Sequence, residues 1–180
     1  ELCEAAVKLA KGIGYNNAGT VEFLYDMDQN DWFFIEMNPR IQVEHTVTEE
    51  ITGIDLVRAQ LELAAGRSLA ELGLDHPPAP RGRAVQVRVN METMQEDGST
   101  RPAGGTLTAF DVPTGRGVRV ETFGYAGFTT SPAFDSLLAK LIIKPEQFDV
   151  IVTPNEYGDF LSDAVYGLIG SIGLGASASY

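Results

Sequence analysis

Residues 19–45 read GTVEFLYDMDQNDWFFIEMNPRIQVEH, and this stretch decides the fold. Val21, Phe23 and Tyr25 alternate with Glu22 and Leu24, the period of a strand. Residues 26–31 are rich in Asp and Asn and read as a hairpin turn. Residues 32–37, WFFIEM, give a second strand, so the two pair antiparallel. Pro39 ends regular pairing and commits the next residues to a loop. With the turn near Gln29, Glu22 and Glu36 face each other, and Asn38 shares the side of Glu36.

Two like charges set opposite each other repel unless something positive lies between them. Nothing basic occurs inside the hairpin, so a divalent cation is the simplest compensator. Two carboxylates and an amide offer oxygen only, which suits magnesium or manganese better than zinc. Magnesium takes few protein ligands and shares phosphate oxygens, which points to a nucleotide site. The other reading from spacing is that both acids are ordinary solvated residues. The loop adds Arg40, Gln42 and Glu44, alternating with Ile41 and Val43, so an extended chain aims the polar three to one side. Arg40 can grip an oxyanion through a forked pair of hydrogen bonds, Gln42 and backbone N–H groups can fix it, and Glu44 can take its proton.

Neighbouring residues receive plainer readings. His45 reads as a hydrogen-bonded structural residue, Trp32, Phe33 and Phe34 as core, and Cys3 as a buried helix position. Asp26, Asp28 and Asp31 read as turn chemistry, because the spacing and glycine of an EF-hand are missing.

Working outward, residues 1–11 carry helical apolar spacing that ends at Gly12 and Gly14. A second helix is expected to start at Thr48 with Glu49 and Glu50 and to run through Ile54 and Leu63 to Gly66. Three prolines within residues 75–80 mark a linker and a domain boundary. Beyond it residues 84–90, 106–110, 117–121 and 137–143 alternate, as in a small antiparallel β unit. The expected class is α+β, with domains over 1–74 and 82–147, a linker at 75–81 and a distinct segment over 148–180.

Composition sets the outer bounds. Thirteen basic against twenty-five acidic residues leave a net charge of −12, which argues against a general nucleic-acid binder. A single cysteine excludes a disulfide framework and suits a reducing cytoplasm. No apolar stretch reaches the length of a membrane span.

Residues 34–66, FIEMNPRIQVEHTVTEEITGIDLVRAQLELAAG, closely resemble biotin carboxylase, the ATP-grasp component of biotin-dependent carboxylases. RGRAVQVRVN, PAGGTLTAFDVPTGRGVRVE and FGYAGFTTSPAFDSLLAKLI resemble that family's C-terminal domain, so the resemblance covers about residues 1–143. It implies the end of an ATP-grasp domain followed by a small β-rich domain. It also implies a reaction in which ATP and bicarbonate give carboxyphosphate, which carboxylates biotin on a carrier protein. Glu22, Glu36 and Asn38 then match the metal set bridging nucleotide phosphates. Arg40, Gln42 and the Val43 backbone match the bicarbonate pocket, Glu44 the general base, and Arg88 the arginine stabilising enolised biotin. Cofactors would be ATP, biotin and Mg2+ or Mn2+. Partners would be a biotin carboxyl carrier, a carboxyltransferase component and a second copy of the chain. The location would be cytoplasmic, or the mitochondrial matrix in a eukaryote. Arg119 is read as structural or as part of that subunit contact, and Asp135 as a structural hydrogen-bond partner.

The family's first domain, glycine-rich lid and phosphate-holding lysines have no counterpart in this sequence, so the chain alone is expected to be inactive. Residues 148–180, around YGDFLSD, instead resemble the metal-binding segment of the isocitrate and isopropylmalate dehydrogenase family. There Asp159 and Asp163, four apart on one helical face, match metal-binding aspartates; otherwise such a pair is a solvated helix face. Two unrelated segments meeting near residues 144–148 suggest a recombined or mis-assembled frame. The competing functions are a non-catalytic interaction module and a remnant of a metal-dependent hydroxy-acid dehydrogenase.

Overall fold

A computed structural model of the chain describes residues 1–76 and 78–144, which puts Asp159 and Asp163 outside the described residues. The chain divides into a unit over Glu1–Arg81 and a second that begins at Gly82. The first holds helix α1 (Leu2–Gly12), strands β1 (Thr20–Asp26) and β2 (Asp31–Asn38), and helices α2 (His45–Thr52) and α3 (Leu56–Ala64). The second holds β3 (Val85–Asn90), β4 (Glu92–Met94), β5 (Thr100–Pro102), β6 (Gly105–Thr106), β7 (Val118–Thr122), β8 (Thr129–Thr130) and β9 (Leu137–Ile143). The class is α+β.

The hairpin forms as its sequence demands, with one addition. Asp26 Oδ1 accepts the N–H groups of Asp28 and Gln29 at 2.9 and 3.1 Å, and Asn30 takes the left-handed φ of 52° that the turn needs. Beside the turn Asp26 pairs with Asp31 and Phe23 with Phe34. The register then shifts between Glu22 and Phe23, leaving Ile35 as the extra residue of a β-bulge. Without it Glu22 would pair with Ile35, and Glu36 would turn to the other face. The bulge therefore restores Glu22 opposite Glu36. Trp32 packs edge-on against Phe23, with ring centres 5.2 Å apart, but Phe33 and Phe34 are more than half exposed and are not core. Cys3 is likewise exposed on α1, because only one stripe of so short a helix is turned inward.

The helical region beyond the loop is two helices, not one, and it starts three residues early. Gly53 stops α2 with a left-handed φ of 74°, and its N–H bonds to Glu49 O. Asp55 then caps α3 by accepting the Arg58 N–H at 2.8 Å. The apolar periodicity crosses this break and conceals it.

In the second unit β9 is the centre of a three-stranded antiparallel sheet, β3-β9-β7. It supplies the buried core: Leu138, Ala139, Leu141, Ile142 and Ile143. The 106–110 strand is cut to Gly105–Thr106, which pairs with β8; Leu107 still bonds to Phe128 O and the Gly127 N–H, and the chain bends at Thr108. An additional hairpin, β4–β5, turns at Asp97–Gly98, where Gly98 has φ +81°.

Lys140, buried on β9, binds Glu121 Oε2 at 2.8 Å, and Arg119 also pairs with Glu121. Burial alone would raise the Glu121 carboxyl, but hydrogen bonds and charge from Lys140 and Arg119 prevail and hold it below its ordinary 4.5. A depressed folded-state pKa gives stability that is complete above the unfolded value and is lost as pH falls through the folded one. Acid titration followed by amide exchange in β9 should therefore show weakening below pH 4.5. Glu121→Gln should remove that pH dependence and cost about 2 kcal/mol at neutral pH, less than for a fully dry pair because water reaches Glu121. Unchanged acid sensitivity in the variant would contradict this. Among the described residues no helix is long and apolar enough to cross a membrane.

Candidate functional site

The end of β2 and the loop behind it gather the first unit's predicted polar residues. Asn38 Nδ2 donates to Glu22 Oε1 and to Glu36 Oε1 at 3.0 Å each, so the two carboxylates stand no farther apart than two hydrogen bonds. Gln42 Nε2 donates to the same Glu22 oxygen at 2.5 Å. Four of the predicted residues thus form one hydrogen-bonded group.

Their chemistry fits a divalent cation. The carboxylates share a neutral amide donor, and a half-turn of that amide would put its oxygen between them, giving a set of three oxygens. Among the described residues no three His, Cys, Asp or Glu side chains form a metal cage, so an ion here would need oxygens from elsewhere. Magnesium, which keeps waters and takes phosphate oxygens, tolerates that.

The loop departs from the extended form expected of it. Arg40 N–H bonds to Asn38 O at 2.8 Å and Thr20 Oγ1 to Arg40 O at 3.1 Å, pinning the backbone beside the carboxylates. Its guanidinium lies on the Ile41 carbonyl at 3.2 Å rather than beside Gln42. Val43 and Glu44 form a turn, because α2 begins at His45, and Glu44 is an exposed residue of helical backbone at that entrance. Gln42 alone of the alternating three bonds to the carboxylates. A cavity of about 270 Å3 in this unit is lined by Asn16, Asn17, Leu63, Ala64, Gly66 and Arg67, none of which belongs to the acid cluster.

Arg88 belongs to the second unit. It lies on β3 across from Lys140, its Nη2 3.9 Å from Asp135 Oδ1, and Asp135 also accepts the Leu137 N–H at 2.8 Å. Asp135 forms part of the wall of a cavity of about 310 Å3 lined otherwise by residues such as Phe123, Phe128 and Phe134.

Two features escaped the sequence. The bulge at Ile35 has no local signature. Glu49 is buried, its Oε1 accepting the Leu56 N–H at 2.8 Å and standing 3.9 Å from His45 Nε2. The only signal was its position four residues after a histidine.

Comparison with known proteins identifies what the two units are similar to. Residues 1–72 match the family described as carbamoyl-phosphate synthase L chain, ATP binding domain, and residues 86–156 the biotin carboxylase C-terminal domain. The second match extends to residue 156, past the boundary at 148 expected from the sequence. Pyruvate carboxylase of Aspergillus niger is 46% identical over 147 residues, covering 81% of this chain and 12% of that protein. Biotin carboxylase 2 of Bacillus subtilis is 47% identical over 141 residues, covering 78% of this chain and 30% of that protein. The chain thus spans under a third of either relative. The biotin carboxylase domain of Hydrogenobacter thermophilus 2-oxoglutarate carboxylase, solved with MgADP, ADP and bicarbonate, superposes with a TM-score of 0.68 at 42% identity, covering 77% of this chain and 30% of that one. Over about residues 1–143 the chain belongs to the biotin carboxylase family, an enzyme family of ligases.

Proposed function

We propose that the first unit carries the metal- and bicarbonate-binding part of a biotin carboxylase centre. The observation that supports this is the shared hydrogen bonding of Glu22, Glu36, Asn38 and Gln42. Glu22, Glu36 and Asn38 hold Mg2+ or Mn2+. When bound, the ion neutralises nucleotide phosphate charge. Arg40, released from the Ile41 carbonyl, joins Gln42 and the Val43 backbone in holding bicarbonate. Glu44, at the helix entrance, accepts the bicarbonate proton and so leaves an oxygen nucleophile for the terminal phosphate of ATP. Arg88 steadies the enolate oxygen of biotin presented by a carrier, with Asp135 orienting its guanidinium. A carboxyltransferase component would take the carboxyl group onward, and a second copy of the chain is a further partner. The cytoplasm, or the mitochondrial matrix in a eukaryote, is the proposed location.

Paramagnetic broadening tests the pocket without requiring turnover. With Mn2+ bound, the 13C line of bicarbonate should broaden beyond the effect of free Mn2+, and Arg40→Gln should remove most of that excess. Broadening equal to that of Mn2+ in buffer, or unaffected by Arg40→Gln, would refute the assignment.

A further inference from the structure

His45 and Glu49 stand outside the residues assigned above, yet they lie between the loop and α3, hydrogen-bonded to each and 3.9 Å from one another. The Gln42 carbonyl receives both the His45 backbone N–H at 3.2 Å and His45 Nδ1 at 2.7 Å. A carbonyl only accepts, so Nδ1 carries the hydrogen and the ring orientation is fixed. The opposite nitrogen faces Glu49, whose carboxylate is only 6% exposed and is tied by the Leu56 N–H to the start of α3. A carboxylate is favourable there, because the first turn of a helix offers free N–H groups and a positive dipole end. On the other side of the loop, Gln42 hands its amide to Glu22.

We propose that His45, backed by Glu49, is the positioning residue of this loop: the ring anchors the Gln42 carbonyl so that the Gln42 amide is delivered to Glu22. The ring thus adds a second, shorter donor to a carbonyl that the backbone turn already holds at 3.2 Å. The role extends the cation and bicarbonate reading, on which its effect on metal affinity rests, but its geometric content stands apart from it. Partners that orient ligating groups typically change metal affinity by about 10-fold or more.

The test uses the full 15N-labelled chain, following the Gln42 side-chain amide resonances, identified by their loss in Gln42→Glu. In His45→Leu these resonances should move to the positions of free glutamine, and Mn2+ affinity should fall about 10-fold. His45→Asn, whose amide nitrogen replaces Nδ1, should restore both, and Glu49→Gln should give a partial displacement. A general structural lesion would not distinguish Asn from Leu. Should His45→Leu fail to fold by circular dichroism, His45→Gln, which reaches toward Glu49 but not the Gln42 carbonyl, takes its place with the same expectation. Gln42 resonances that stay at their wild-type positions, or an Asn variant as displaced as Leu, would overturn the proposal. Glu36→Gln, run in parallel, separates the two ideas. Indifference of Mn2+ binding to that change would remove the cation reading, while the Gln42 amide would still judge His45.

Discussion

Leu141→Ala should destabilise the second unit by about 3 kcal/mol, the cost typical of truncating a buried leucine. Leu141 is 5% exposed and lies between Val87 of β3 and Val120 of β7 in register. Removing its branched end costs the transfer energy of the lost carbons and opens a cavity that two flanking strands cannot collapse into. Urea-dependent amide exchange in β9 reads the loss. Trp32, the one tryptophan, lies in the first unit and serves as the internal control. A cost below about 1 kcal/mol would mean that β9 is not the strand that holds this sheet together.

That strand was readable because Leu, Ile and Ala leave a central strand few other places to go. Lys140 spoils the pattern, and its pairing with Glu121 across the sheet explains how a charge is tolerated there. Turn chemistry was legible at Asp26–Asp31, where side chains bond to their own backbone and need no distant partner. The Asp97–Gly98 turn carried the same kind of signal but lacked long alternating strands beside it. The helix break at Gly53 was hidden because apolar spacing continues across it, whereas a left-handed glycine shows only in the backbone.

The site was legible in its residues and less so in its geometry. Spacing brought Glu22 opposite Glu36 on the assumption of a turn centred at Gln29. The actual turn would have separated them, and the bulge at Ile35 compensates. The loop looked extended because its polar residues alternate. Entry into α2 bends it at Val43 and Glu44, a demand made by the buried Thr46 and Glu49 further on rather than by the loop itself. Local pattern finds the chemical groups, and packing elsewhere aims them.

The second large effect concerns the carboxylate pair, on which the functional account depends. Glu22 and Glu36 share one amide donor, so the negative charge between them is only partly offset. A divalent ion placed there gains attraction from both carboxylates. Removing one charge should cost at least about 2 kcal/mol at the effective dielectric of a half-exposed site. That corresponds to a rise of about 30-fold in Kd. Glu36→Gln preserves shape and removes only charge. Mn2+ titration of the full chain, read by electron paramagnetic resonance of the free ion, is therefore the most direct measurement. The account predicts a specific site in the native chain, weakened about 30-fold by Glu36→Gln and unchanged by Glu96→Gln, an exposed acid of the second unit. Equal Mn2+ binding by all three proteins would contradict it.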